Sequence, residues 1–132
     1  MIIRIDHIGL AVNSVEEAAR LYTDVLGLEI KDIEVIGQRA RAAIIPVGES
    51  KIELLEPIDP EGPIAEFIAE RGEGIHHLAL EVDDIEATLK LLKEKEIPLV
   101  DEQPRNGIEN SRIAFLHPSG TKALIELVEA RE

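Results

Sequence analysis

The chain repeats itself. His7-Ile8-Gly9-Leu10-Ala11-Val12 returns 70 positions later as His77-Leu78-Ala79-Leu80-Glu81-Val82. The downstream segments stay in step: Asn13-Ser14-Val15-Glu16 faces Asp83-Asp84-Ile85-Glu86, Leu28-Glu29-Ile30 faces Pro98-Leu99-Val100, and Ala43-Ile44-Ile45 faces Ile113-Ala114-Phe115. Ile52-Glu53-Leu54-Leu55-Glu56 then matches Ile125-Glu126-Leu127-Val128-Glu129 at a spacing of 73, the slip absorbed by a longer loop around Pro118 to Lys122. Segments matching in one order at nearly one spacing mark a duplicated unit, so the chain is expected to fold as two copies of one supersecondary motif.

Each copy reads as strand, helix, then three strands, an α+β arrangement of two βαβββ modules. Ile3 to Val12 alternates and is rich in Ile and Val, as a half-buried strand is. Ser14 to Leu26 is a helix capped by Asn13 or Ser14, with Glu17 completing a capping box and Gly27 free to turn left-handed at its end. Its apolar stripe is Val15, Ala18, Ala19, Tyr22 and Val25. In the second copy Asp83 or Asp84 caps a helix that turns Ile85, Leu89 and Leu92 inward, with Pro98 beyond its end. The remaining strands are expected near 28–35, 39–47 and 50–56, and near 99–101, 111–117 and 123–129. The modules are about 1–57 and 74–132, joined in a single domain (1–132) by a short linker, 58–73, in which Ile64, Phe67 and Ile68 suggest a helix.

Reading the strands by face isolates four residues. Ile8, Leu10 and Val12 point to the helix and His7, Gly9 and Ala11 away from it; Leu78, Leu80 and Val82 oppose His77 and Ala79. In the last strands Ile52 and Leu54 oppose Glu53 and Leu55, and Ile125 and Leu127 oppose Glu126 and Val128. Each copy thus sets one His and one Glu mid-strand among apolar neighbours. An uncompensated carboxylate there costs several kcal/mol, and two at equivalent positions ask for one cause. Two imidazoles and two carboxylates converging about a pseudo-two-fold axis make a ligand set for one divalent metal: His7, Glu53, His77 and Glu126. The nitrogen–oxygen mixture suits Co2+, Ni2+, Zn2+, Mn2+ or Fe(II), of which Co2+ is the expected occupant. His76 reads as a structural histidine on the opposite face from His77, and His117 belongs to a turn.

Composition narrows the partners. With 14 Lys and Arg against 27 Asp and Glu the net charge is −13, which opposes the counterion-releasing contacts of nucleic-acid binding and adhesion to anionic membranes. No run reaches the ~20 apolar residues of a membrane-spanning helix. The absence of Cys removes disulfides, thiolate metal sites and a thiol nucleophile. No signal-peptide core follows Met1, so the expected compartment is the cytoplasm.

These features carry a resemblance. The duplicated module, with Leu21-Tyr22-Thr23-Asp24-Val25-Leu26-Gly27-Leu28 closing the first helix, resembles the vicinal oxygen chelate superfamily over nearly the whole chain. Within it the chain is similar to the methylmalonyl-CoA epimerases through Asp6-His7-Ile8-Gly9-Leu10-Ala11-Val12, Lys51-Ile52-Glu53-Leu54-Leu55-Glu56-Pro57, Gly74-Ile75-His76-His77-Leu78-Ala79, and Phe115-Leu116-His117-Pro118 with Leu124-Ile125-Glu126-Leu127 after it. The resemblance implies two curved sheets forming an open barrel around a metal held by His7, Glu53, His77 and Glu126, a homodimer, and an acyl-CoA substrate inverted at its α-carbon. The position of Glu53 is Gln in some members. The chain departs at Ala40-Arg41-Ala42-Ala43, where some epimerases carry a further carboxylate.

The implied chemistry is removal of an α-proton while a metal chelating the thioester oxygen and the free carboxylate stabilises the enolate. Glu126 is the favoured base and Glu53 its counterpart on the other face; Glu34, Glu49 and Glu109 are loop acids that stand behind them. Arg39, Arg41, Lys51, Arg105 and Arg112 are candidate contacts for the anionic CoA ester. The alternatives are a glyoxalase I-type lactoylglutathione lyase with the same ligand set and a non-catalytic ligand-binding protein of this fold; an extradiol dioxygenase, with one carboxylate ligand, fits less well.

Overall fold

A computed structural model describes residues 1–36 and 39–130. They form two compact units: His7–His76, and Met1–Asp6 together with the chain from His77 onward.

In the first unit, strand β1 (Ile2–Ala11, which begins in the other unit) leads into helix α1 (Val15–Arg20), a π-helical turn (Leu21–Val25), β2 (Asp32–Ile36), β3 (Ala40–Val47), β4 (Ser50–Pro57) and α2 (Pro63–Arg71). The strand order is β2-β3-β4-β1, antiparallel except for β1 against β4. Val12, Val15, Ala19, Ala43, Ile45 and Leu54 form the buried core between α1 and the sheet. Ser14 caps α1, its hydroxyl accepting from the Glu17 N–H at 3.2 Å, and α2 is the helix that the linker's apolar residues suggest.

The stripe of the first helix breaks at its end. Val25 is 72% exposed, because the backbone after Arg20 widens: the Leu26 N–H reaches back five residues to Leu21 O at 3.0 Å. The extra residue in that turn rotates Val25 off the core face. Leu28 and Ile30 pack against the core in its place, in irregular backbone rather than in a strand from residue 28; β2 begins at Asp32.

The second unit repeats the order. β5 (Gly74–Val82, which begins in the first unit) leads to α3 (Ile85–Glu94), β6 (Arg105–Asn106), a 3-10 turn (Ile108–Asn110), β7 (Arg112–Leu116), one turn of helix α4 (Pro118–Thr121) and β8 (Ile125–Glu129). The order β5-β8-β7-β6 mirrors the first unit, with β5 and β8 parallel. Asp84 is the cap of α3, accepting from the Ala87 N–H at 3.0 Å. Val82, Ile85, Leu89, Ala114, Leu116 and Leu127 are the buried core under the helix. The strand expected at 99–101 shrinks to a single bridge, Leu99 to Leu116. Asp101 explains this: its carboxylate takes the Phe115 N–H at 2.9 Å, so a side chain occupies the donor that a further ladder partner would need.

Candidate metal centre

Each unit presents a second sheet face, turned away from its helix, and each places one His and one Glu there. In the first unit β1 and β4 run parallel with Gly9 beside Glu53 and Ala11 beside Leu55. His7 lies two residues before Gly9 and so shares the face of Glu53. His7 Nδ1 is 3.2 Å from Glu53 Oε2, and both side chains are almost fully enclosed. In the second unit Ala79 stands beside Glu126, and His77, two residues earlier, has Nε2 2.9 Å from Glu126 Oε1. Both members of this pair are also buried. Opposite each Glu is therefore a residue with little or no side chain, Gly9 or Ala79, and on its other side a bulky one, Ile44 or Phe115. The strand-face reading, one His and one Glu on the face away from the helix in each unit, agrees with this register.

The donor chemistry suits a cation. Within each unit a buried carboxylate stands beside an imidazole nitrogen, a nitrogen–oxygen donor pair of the kind that binds divalent transition metals. The spacing also fits. Two ligand atoms each about 2.1 Å from an ion and at right angles lie about 3 Å apart, the separation found within each His–Glu pair.

A second duplicated device lies on the helix-facing side. Glu56 at the end of β4 accepts the Val15 N–H at 2.9 Å; Glu129 at the end of β8 accepts the Ile85 N–H at 2.9 Å. Each satisfies an amide at a helix start, where the helix dipole favours negative charge. An arginine clasps each glutamate. Arg41 Nη1 reaches Glu56 at 3.1 Å and Glu16 at 3.3 Å, and Arg112 reaches Glu86 at 2.9 Å and Glu129 at 3.4 Å. The carboxylates of Glu56 and Glu16 hold the Arg41 guanidinium above its usual value. Arg41 and Arg112 are thus tied to helix starts and lie on the opposite sheet face from the His–Glu pair of their own unit. Strand pairing sets Arg41 beside Glu56 and Arg112 beside Glu129, so β3 and β7 correspond at a spacing of 71, one residue more than the sequence repeat that faces Ala43-Ile44-Ile45 with Ile113-Ala114-Phe115; that slip hid the matching arginines.

Of the other candidate cations, Arg39 pairs loosely with Asp59 at 3.7 Å, Lys51 is half-buried beside His7 in the β1–β4 register, and Arg105 bonds Asp101 at 3.2 Å. His76 packs edge to face on Phe67, centroids 5.2 Å apart, consistent with a structural role. His117 caps α4, its Nδ1 accepting from the Ser119 N–H at 3.1 Å. Sequence reasoning missed Phe115, whose ring meets His77 edge to face at 5.5 Å. Its place in the β7–β8 register, directly beside Glu126, puts it on that face.

Fold and ligand pairs together match a known class. The chain belongs to the Glyoxalase/Bleomycin resistance protein/Dioxygenase superfamily, whose model matches residues 6–115. Among its relatives is the ethylmalonyl-CoA/methylmalonyl-CoA epimerase of Cereibacter sphaeroides, 35% identical over 131 residues, covering 96% of this chain and 98% of that protein. The crystal structure of methylmalonyl-CoA epimerase from Mycobacterium tuberculosis superposes with a TM-score of 0.94 at 37% identity, over 99% of this chain and 90% of that one. A Streptomyces coelicolor methylmalonyl-CoA epimerase variant in complex with 2-nitronate-propionyl-CoA does so at 0.94 and 33% identity, over 98% and 96%.

Proposed function

We propose that the chain is a metal-dependent methylmalonyl-CoA epimerase, interconverting the (R)- and (S)-thioesters through an enolate. The observation that carries this reading is the pair of buried His–Glu contacts at equivalent places in the two units, in a chain whose full-length relatives include epimerases of such thioesters. One divalent ion per chain is held by His7, Glu53, His77 and Glu126, Co2+ by preference, with Ni2+, Zn2+ or Mn2+ as substitutes. Bound there, the ion supplies Lewis acidity that draws off the negative charge of a developing enolate.

The remaining chemistry belongs to the side chains. One carboxylate takes the α-proton and leaves the C–H electron pair in the enolate; a protonated acid on the other face returns a proton to the same carbon. Glu126 is the base on one side and Glu53 its counterpart on the other. Glu126 is favoured as the stronger participant because its strand comes after the Phe115-Leu116-His117-Pro118 turn on which the resemblance rests, and because the position of Glu53 is the variable one in the family. Burial raises the basicity of a carboxylate whose free pKa is near ~4. The chain acts in the cytoplasm as a homodimer in this reading; no helix among the described residues is long and apolar enough to cross a membrane.

The test is optical. Metal-loaded protein given (S)-methylmalonyl-CoA alone should bring it to an equal mixture of epimers, and chelator should stop the conversion. Turnover of a glutathione hemithioacetal with no inversion of the CoA ester would select the lactoylglutathione lyase alternative, and binding of the ester without inversion would select the non-catalytic one.

A further inference from the structure

Arg105 is the cation with the most telling surroundings. Its guanidinium lies 5.5 Å from the centroid of the Phe115 ring, and Phe115 in turn meets His77. Its Nε donates to Asp101 Oδ1 at 3.2 Å, while Asp101 Oδ2 accepts the N–H of Phe115 itself. The flat face rests on a ring and the Nε is tied to a carboxylate that the ring's own backbone holds in place. The side chain stays 53% exposed, and Asp101 is its one acidic partner among the described residues. Arg41 and Arg112, by contrast, are each clasped by two glutamates.

An arginine fixed by its Nε and its face presents its two Nη groups outward. That edge is the fork that grips a carboxylate or phosphate through two parallel hydrogen bonds. Because the side chain is already ordered, a ligand does not bear the cost of ordering it. The Arg105–Asp101 pair is neutral overall, so it acts through directed donors rather than net charge. We propose that the Nη edge of Arg105 receives an oxyanion of the thioester substrate, its acyl carboxylate or a phosphate of its nucleotide, one aromatic ring away from His77. The inference rests on the thioester reading above and adds to it a substrate-anchoring residue.

Racemic methylmalonyl-CoA is already at equilibrium, so its binding to the metal-loaded chain can be titrated calorimetrically without net turnover. Arg105→Ala should weaken the Kd about ten- to hundred-fold, the range of a lost charge-assisted bond, with metal content and Tm unchanged. Arg105→Lys should recover only part, since it lacks the fork. Arg105→Gln keeps a donor for Asp101, so it should keep the wild-type Tm yet show the same loss of binding. Arg71→Ala, which removes a guanidinium stacked on Phe67, should bind as wild type. Repeating the titration with methylmalonyl-pantetheine separates the two oxyanions: a loss that persists assigns the acyl carboxylate, and a loss seen only with the CoA ester assigns a nucleotide phosphate. Wild-type affinity of Arg105→Ala and Arg105→Gln for both thioesters overturns the proposal while leaving the epimerase reading intact. A wild-type chain that binds neither thioester overturns both.

Discussion

Glu53 and Glu126 occupy equivalent strand positions, yet their variants should behave differently. Glu126→Gln keeps an oxygen for the metal and removes the basicity, so metal content should hold while α-proton exchange falls by about 10²–10⁴-fold, the usual worth of a positioned base. Glu53→Gln should cost less than about tenfold by the same scale. Elemental analysis and deuterium exchange read both at once; exchange near the wild-type rate in Glu126→Gln would make Glu126 a ligand only. The histidines answer a separate question. A His7→Ala, His77→Ala double variant should purify without stoichiometric metal, because it removes both imidazoles from the set. Full metal occupancy in that variant would refute the ligand assignment.

At the scale of elements, the glutamate–arginine clasps make a prediction about stability. Glu56→Ala frees the Val15 N–H at the start of α1 and strips Arg41 of one of its two partners. Glu129→Ala does the same to Ile85 and Arg112. Each should cost about 1–2 kcal/mol, the loss expected of a helix cap with its dipole interaction, seen as a lower denaturant midpoint. Val25→Asp, on the exposed side of the π-helical turn, should change stability by less than about 0.5 kcal/mol. The duplication, both helix caps and the buried His–Glu pair of each unit were legible in the sequence, because periodicity and repeat spacing can be read along the chain. The π-helical turn was not: nothing in Leu21-Tyr22-Thr23-Asp24-Val25 marks a widened turn, and a regular helix places Val25 inward. The strand expected at 99–101 failed for a related reason. Leu99 and Val100 carry strand propensity, but the side chain of Asp101 claims the Phe115 amide, a competition that propensity does not register. The roles of Arg41 and Arg112 depend on strand facing and on Glu56 and Glu129, which the repeat aligns but whose contacts arise only in the folded chain.

For the molecule as a whole, the N-terminal residues have a consequence. Met1–Asp6 group with the second unit: the Met1 ammonium meets Asp83 at 3.0 Å and Arg4 meets Glu81 at 3.4 Å. A fragment of residues 1–60 would leave those partners behind, and we propose that the cooperative folding unit is the full chain; such a fragment should show no sigmoidal unfolding transition, and a cooperative one would contradict this. The Met1–Asp83 bond also sets a pH dependence. Hydrogen bonding to the ammonium holds the Asp83 carboxyl below its ordinary 3.8. A carboxyl lowered on folding stabilises the fold above its unfolded value, and that contribution is lost as the pH falls through the folded one. Acetylating the N-terminus should return the Asp83 carboxyl towards its ordinary value in an NMR titration. Above all, the chain should remove and restore the α-proton of a malonyl-type thioester at a metal centre. Deuterium incorporation at that carbon, with metal-loaded protein and racemic methylmalonyl-CoA in D2O, reads this step alone. Exchange at the α-carbon that is lost on chelation and regained on adding Co2+ is the predicted result; an α-proton that stays in place with metal fully bound would contradict it.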